Sequence, residues 1–151
     1  TMKHIIEAIQ TKLAQHPDIK YVDENWGQLD YYSPNFPVQW PCVLIDIANA
    51  NFDNIGKDNN QVPVNRQMAQ ITVELRVANL KLTNTSANAT HLQKTYARSI
   101  WQILEEVHAQ LHGWNPSEAT SKLIRTAVNR AKRDDGVQEY AVRYSCEENN
   151  C

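Results

Sequence analysis

His108 and His112 stand four residues apart in a stretch of helical period, so both imidazoles could reach one metal ion. No third His or Cys lies nearby in sequence, and His112 falls at a helix end where the dipole favours an imidazolium. No metal is expected there. Asp46 is a carboxylate inside an apolar run, where burial would shift its pKa, but no basic partner is in view. Asp134 and Asp135 could form a chelating pair, yet Asp before Gly136 closes a hairpin more simply. Glu105–Glu106 and Glu147–Glu148 are adjacent and diverge on a helix or strand, which makes them poor acid/base pairs. The sequence has no Gly-rich phosphate loop and no nucleophile motif. The expectation is a protein without catalytic residues and without a cofactor.

Residues 122–133 are the strongly one-signed stretch: Lys122, Arg125, Arg130, Lys132 and Arg133 meet no acid until Asp134. On a regular strand Arg125 and Arg133 share one face, and Lys122, Arg130 and Lys132 the other. A nucleic-acid platform wants its cations on one face with aromatics between them, and this segment contains none. A solvated hairpin, or one pairing with acids on another subunit, fits better. The formal charge of −2 supplies no global field toward nucleic acid or an anionic membrane. No apolar run approaches the roughly 18 residues of a membrane span. The N-terminus lacks the basic-then-apolar pattern of a signal peptide. Three cysteines without a C-x-x-C pair read as free thiols, with Cys42 and Cys146 in strands and Cys151 at the end.

The chain of 151 residues is the size of one ordinary domain, 1–151. Residues 88–111 are the longest helical stretch: Leu92, Tyr96, Ile100, Ile103, Val107 and Leu111 share one arc. Gly113 then suits the position past a helix end. Trp101 sits away from this stripe, with Ala97, Leu104 and His108 at helical spacing around it. These four are the candidate subunit interface. Residues 2–15 form a first helix on Met2, Ile5, Ile6, Ile9 and Leu13. A weak strand over 19–26 and an aromatic, proline-containing loop over 29–41 follow. Cys42 to Asn49 reads as a strand covered on both faces in its first half. Residues 53–65, rich in Asn and Asp, read as a mobile connection. Residues 66–80 alternate as a strand with Ala69, Ile71, Val73, Leu75 and Val77 inward. A second hairpin places Ile124, Val128, Tyr140, Val142, Tyr144 and Cys146 inward, and 147–151 read as a polar tail. The predicted fold is α+β, an antiparallel sheet of four to five strands made from two hairpins and backed by two helices.

This order of elements resembles the tail terminator (tail-completion) proteins of long-tailed bacteriophages, lambda type. The similarity rests on the opening helix with Ile5, Ile6, Ile9 and Leu13 and on the strand entry Phe36-Pro37-Val38-Gln39-Trp40-Pro41-Cys42-Val43-Leu44-Ile45. It rests also on Gln70-Ile71-Thr72-Val73-Glu74-Leu75-Arg76-Val77 and on Arg130-Ala131-Lys132-Arg133-Asp134-Asp135-Gly136-Val137-Gln138-Glu139-Tyr140. The resemblance implies a structural virion protein, a hexameric ring that caps the tail tube, ends its polymerisation and meets the head connector, residing in the virion tail and, during assembly, in the bacterial cytoplasm. Its implied partners are other copies of itself, the tail tube protein and the head–tail connector, with nucleic acid only as DNA passing through the ring. The alternatives are a nucleic-acid-associated protein using 122–133, and a small enzyme using Asp46 or the His108/His112 pair.

Overall fold

The computed structural model describes residues 2–30, 39–80, 99–131 and 137–149. The elements in order are α1 (Met2–Ala14), β1 (Tyr21–Glu24), a 3-10 turn (Gln28–Asp30), β2 (Cys42–Lys57), β3 (Asn65–Leu80), α2 (Ser99–Leu111), β4 (Ile124–Ala131) and β5 (Val137–Asn149). The strands form one sheet in the order β1-β2-β3-β5-β4. The β2–β3 and β4–β5 pairs are antiparallel, as two hairpins require, the β3–β5 pair that joins them is antiparallel too, and β1 joins the β2 edge in parallel. The fold is α+β, as predicted. The start of the predicted long helix, with Leu92, Tyr96 and Ala97, lies outside the described residues.

One face of the sheet carries the core. Ala69, Ile71, Val73, Leu75 and Val77 of β3 are fully buried, the inward set that period-two alternation predicts. They meet Ile5, Ile9 and Leu13 of α1 and Ile100, Ile103, Val107 and Leu111 of α2. Leu104 joins the same cluster at 8% exposure. It therefore belongs to the core, not to the outer face of the helix. Polar ties fix both helices on the sheet: Gln10 Nε2 donates to the Val22 carbonyl at 3.1 Å, and Asn79 Nδ2 to Ser99 Oγ at 2.9 Å. Gly113, at φ +77, turns the chain out of α2, and its N–H reaches the Leu123 carbonyl at 2.8 Å.

Cys42, Val43, Leu44 and Ile45 are all buried, because β2 is covered on both faces there. Cys42 and Leu44 point into a second, smaller cluster with Leu29, Ala78 and Val137, against which Trp40 packs. The ends of the 29–41 loop thus lie against the face away from the described helices, while 31–38 fall outside the described residues.

Two stretches expected to be irregular are strand. β2 runs to Lys57 and β3 begins at Asn65, so most of the Asn-rich segment belongs to a long hairpin arm. Register shifts at Ile47/Asn49 and Asn54/Gly56 bend it. Residues 51–57 are exposed on both faces, so ladder pairing rather than burial holds the arm. Likewise Glu147 to Asn149 extend β5 and pair with Gln70, Ala69 and Met68. Glu148 there is buried at 4%, and the last two residues lie outside the described set.

The face away from the described helices carries an ion-pair network in its middle. Glu74 accepts from Arg76 Nε at 2.7 Å on one oxygen and from Arg143 at 3.0 Å on the other. Arg76 also reaches Glu139 at 3.1 Å. Only 12% of the Glu74 side chain is exposed, against 47% for Arg143. Glu74→Ala would leave two guanidinium groups without their shared acceptor. After allowance for the exposure of Arg143, a loss of about 1–2 kcal/mol in urea unfolding is expected. Glu74→Gln, which keeps one acceptor, should fall between this variant and the wild type.

Candidate functional site

Four of the predicted site residues, Trp101, His108, Arg125 and Arg130, lie where α2 packs on β5, next to the uncovered strand β4. Trp101 is 48% exposed, and its ring lies 4.8 Å from that of Tyr140 at a tilt of 52°. The indole is outside the main core, as the helical phase requires, and rests on the sheet through one aromatic contact. His108 is half-buried beside it, with Nδ1 3.3 Å from the Tyr144 hydroxyl. Leu104 is committed to the core, and Ala97 lies outside the described residues. Of the four predicted interface residues, the structure therefore places Trp101 and His108 on this surface.

The basic strand differs from its sequence reading in phase. Arg125 pairs with Tyr144 and Arg130 with Tyr140, and a bulge between Arg125 and Ala127 inserts one extra residue. In a regular strand, residues five apart face opposite ways. The bulge brings Arg125 and Arg130 to one face, which is also the face of Tyr140, Val128 and Trp101. Ile124 now pairs with Ser145 and points to the opposite face. Ile124 and Val128 are 47% and 43% exposed, which overturns their inward assignment. The helices lie over β1, β2 and β3, and β4 extends past their cover. Lys122 precedes β4, while Lys132 and Arg133 lie outside the described residues.

The two histidines are committed to other contacts. Their rings lie 4.5 Å apart, but His112 Nδ1 accepts the Arg125 backbone N–H at 3.2 Å. Burial, then the Arg125 guanidinium and His112, push the His108 pKa down from its ordinary 6.5. Burial pushes the Tyr144 hydroxyl up to about 12, so that ring keeps its proton. A base with a lowered folded-state pKa contributes stability that is present above the unfolded value and lost as pH falls. The wild type should therefore lose urea resistance between about pH 7.5 and pH 5.5, and His108→Gln should flatten that slope. An unchanged slope in the variant would remove this assignment.

Asp46 is exposed, and its Oδ1 accepts the Ile47 N–H at 2.9 Å. The buried carboxylate anticipated there does not exist. Cys42 and Cys146 are buried free thiols, as expected, and burial with Glu148 and Glu147 pushes Cys146 up to about 11. This sulfur stays protonated and unreactive.

Sequence spacing gave no sign of the group formed by His16, Asp18 and Glu106. Their ligand atoms lie within 4.8 Å of one another, the one such cluster among the described residues. His16 Nε2 is 3.6 Å from Glu106 Oε2, and His16 Nδ1 accepts the Asp18 N–H at 3.3 Å. With Nδ1 used as acceptor, the ring proton sits on Nε2 toward Glu106. The arrangement is a polar clasp between the segment after α1 and α2, in which Glu106 Oε2 is buried without a hydrogen-bond partner among the described residues. Burial raises the Glu106 carboxyl, His16 opposes that shift and Asp18 adds to it.

No protein-family model matches the sequence, and no curated protein matches it. In fold, the chain is similar to a solved chain from the virion of a native gene transfer agent particle. The two share 10% identity and a TM-score of 0.56 over 96% of this chain and 94% of the other. The likeness therefore runs along nearly the full length of both chains and is not confined to one hairpin.

Proposed function

We propose that this chain is a structural component of a phage-like virion: a tail terminator that forms a ring, caps the tail tube and meets the head connector. The observation that carries the reading is the shared fold along nearly the full length with a chain of a gene transfer agent virion. The order of elements, which resembles the tail terminator proteins, supports it from the sequence side. The surface around Trp101, Val128, Arg125 and Arg130 suits contact between protein subunits: a half-exposed indole with exposed cations at its rim. On this reading the protein acts by assembly, its partners are its own copies, the tail tube and the connector, and it resides in the virion tail.

The test is light scattering and electron microscopy of the purified full chain, alone and with tail tubes. Rings of uniform size, expected as hexamers, and tubes of arrested length are the expected result. A strict monomer at high concentration that also leaves tubes unchanged overturns the reading.

A second reading is favoured by the bulge in β4, which sets Arg125 and Arg130 on the face of Trp101 and Tyr140. Cations beside a stackable ring are what single-stranded nucleic acid binds. Retention on heparin that falls steeply with salt would support it, and no retention at low salt would remove it.

A further inference from the structure

Charge is divided between the two edges of the sheet. On the β4 side Lys122, Arg125 and Arg130 are exposed, and among the described residues none is paired with an acid. No described strand lies beyond β4. On the other side β1 covers β2 only over Cys42–Ile45. From Asp46 to Lys57 the outer edge of β2 has no strand neighbour among the described residues. Glu24, Asp46 and Asp53 are exposed on that side, with Lys57 the cation of the strand. Both edges also expose apolar side chains: Phe52 and Ile55 at 46% and 43% on β2, and Ile124 and Val128 at 47% and 43% on β4.

An open strand edge with exposed apolar groups is a surface that another chain can cover. A two-fold contact would set each edge against itself, cation on cation or carboxylate on carboxylate, which opposes association. A head-to-tail contact sets unlike charges together, and when repeated with a rotation that closes it makes a ring. We propose that copies of this chain join through opposite sheet edges, the cationic β4 edge of one copy against the acidic open edge of β2 of the next. The inference rests on the ring-forming reading above and gives it a polarity. Because the contact is partly electrostatic, assembly weakens as salt is raised.

The test is charge reversal in the full chain, read by light scattering. Arg125→Glu with Arg130→Glu makes both edges acidic, and Asp46→Lys with Asp53→Lys makes both basic. Every position is exposed, so each variant should keep the wild-type circular dichroism. Each double variant should assemble at least about tenfold more weakly than the wild type. An equimolar mixture of the two should assemble again, in alternation, and the chain carrying all four changes should assemble alone. A wild type that forms rings while both double variants assemble equally well overturns this interface and leaves the ring reading standing. Weak variants whose mixture does not recover also overturn it. A wild type that stays monomeric, alone and with tail tubes, removes the ring reading and this interface together.

Discussion

Leu75→Ala should lower stability by about 3 kcal/mol, which in a chain of this size corresponds to a fall of roughly 10 °C in Tm. Leu75 is fully buried on β3, the central strand, between Ile45 of β2 and Val142 of β5 in register. Main-chain pairing holds β3 on both sides, and the helices close over its inward face, so the cavity left by truncation has little room to collapse. The control is Val128→Ala, at a position 43% exposed on the edge strand, where a change within about 0.5 kcal/mol is expected. Thermal melts of the two variants decide the matter. A Leu75→Ala protein that melts within a degree or two of the wild type would show that the core is not centred on this strand.

The second large effect is on assembly. Trp101→Ala should leave the monomer folded and weaken self-association by roughly 2 kcal/mol, a drop in affinity of about thirtyfold. The indole is half exposed and touches the sheet through Tyr140, so its removal costs the monomer one ring contact, worth about 1 kcal/mol. Buried between subunits, the same side chain would bring its exposed half out of water. Circular dichroism and light scattering on one preparation separate the outcomes. Loss of the folded signal would place Trp101 in the core, and unchanged assembly would exclude it from the contact.

The parts of this fold legible in the sequence are those in which burial repeats with a regular period. Residues 69 to 77 alternate, and Ile5, Ile9, Leu13, Ile100, Ile103, Val107 and Leu111 recur at helical spacing, so strand and helices could be placed before the structure. The extension of β2 through Asp53 and Asn54 could not. Both faces of that arm meet solvent, and its ladder with β3 leaves no hydrophobic pattern. The exposure of Ile124 and Val128 was hidden for a different reason. Which strand lies beyond the helices is a property of sheet order, and the phase of Arg125 and Arg130 depends on one inserted residue that composition does not mark. Leu104 shows the converse error: set beside Trp101 on a helical wheel, it lies on the border of the core arc and turns inward. The clasp of His16, Asp18 and Glu106 joins residues far apart in the chain, so no local motif could announce it.

The position of β3 bears on how the molecule is made. Its two neighbours in the sheet come from opposite directions along the chain, β2 before it and β5 well after α2 and β4. During synthesis the first hairpin can zip as it emerges, with one side of β3 still bare. The bare side is closed only when Tyr144 and Cys146 arrive. Until then a nascent chain presents an unpaired, strongly hydrophobic ribbon, and topologies of this kind fold slowly and are prone to capture by other chains. If the finished protein assembles with its own copies, as proposed above, it passes first through a stage in which the wrong meeting is also available. On the face away from the described helices, Glu74 and Arg76 in the middle of that same strand leave the unfinished ribbon charged on one side.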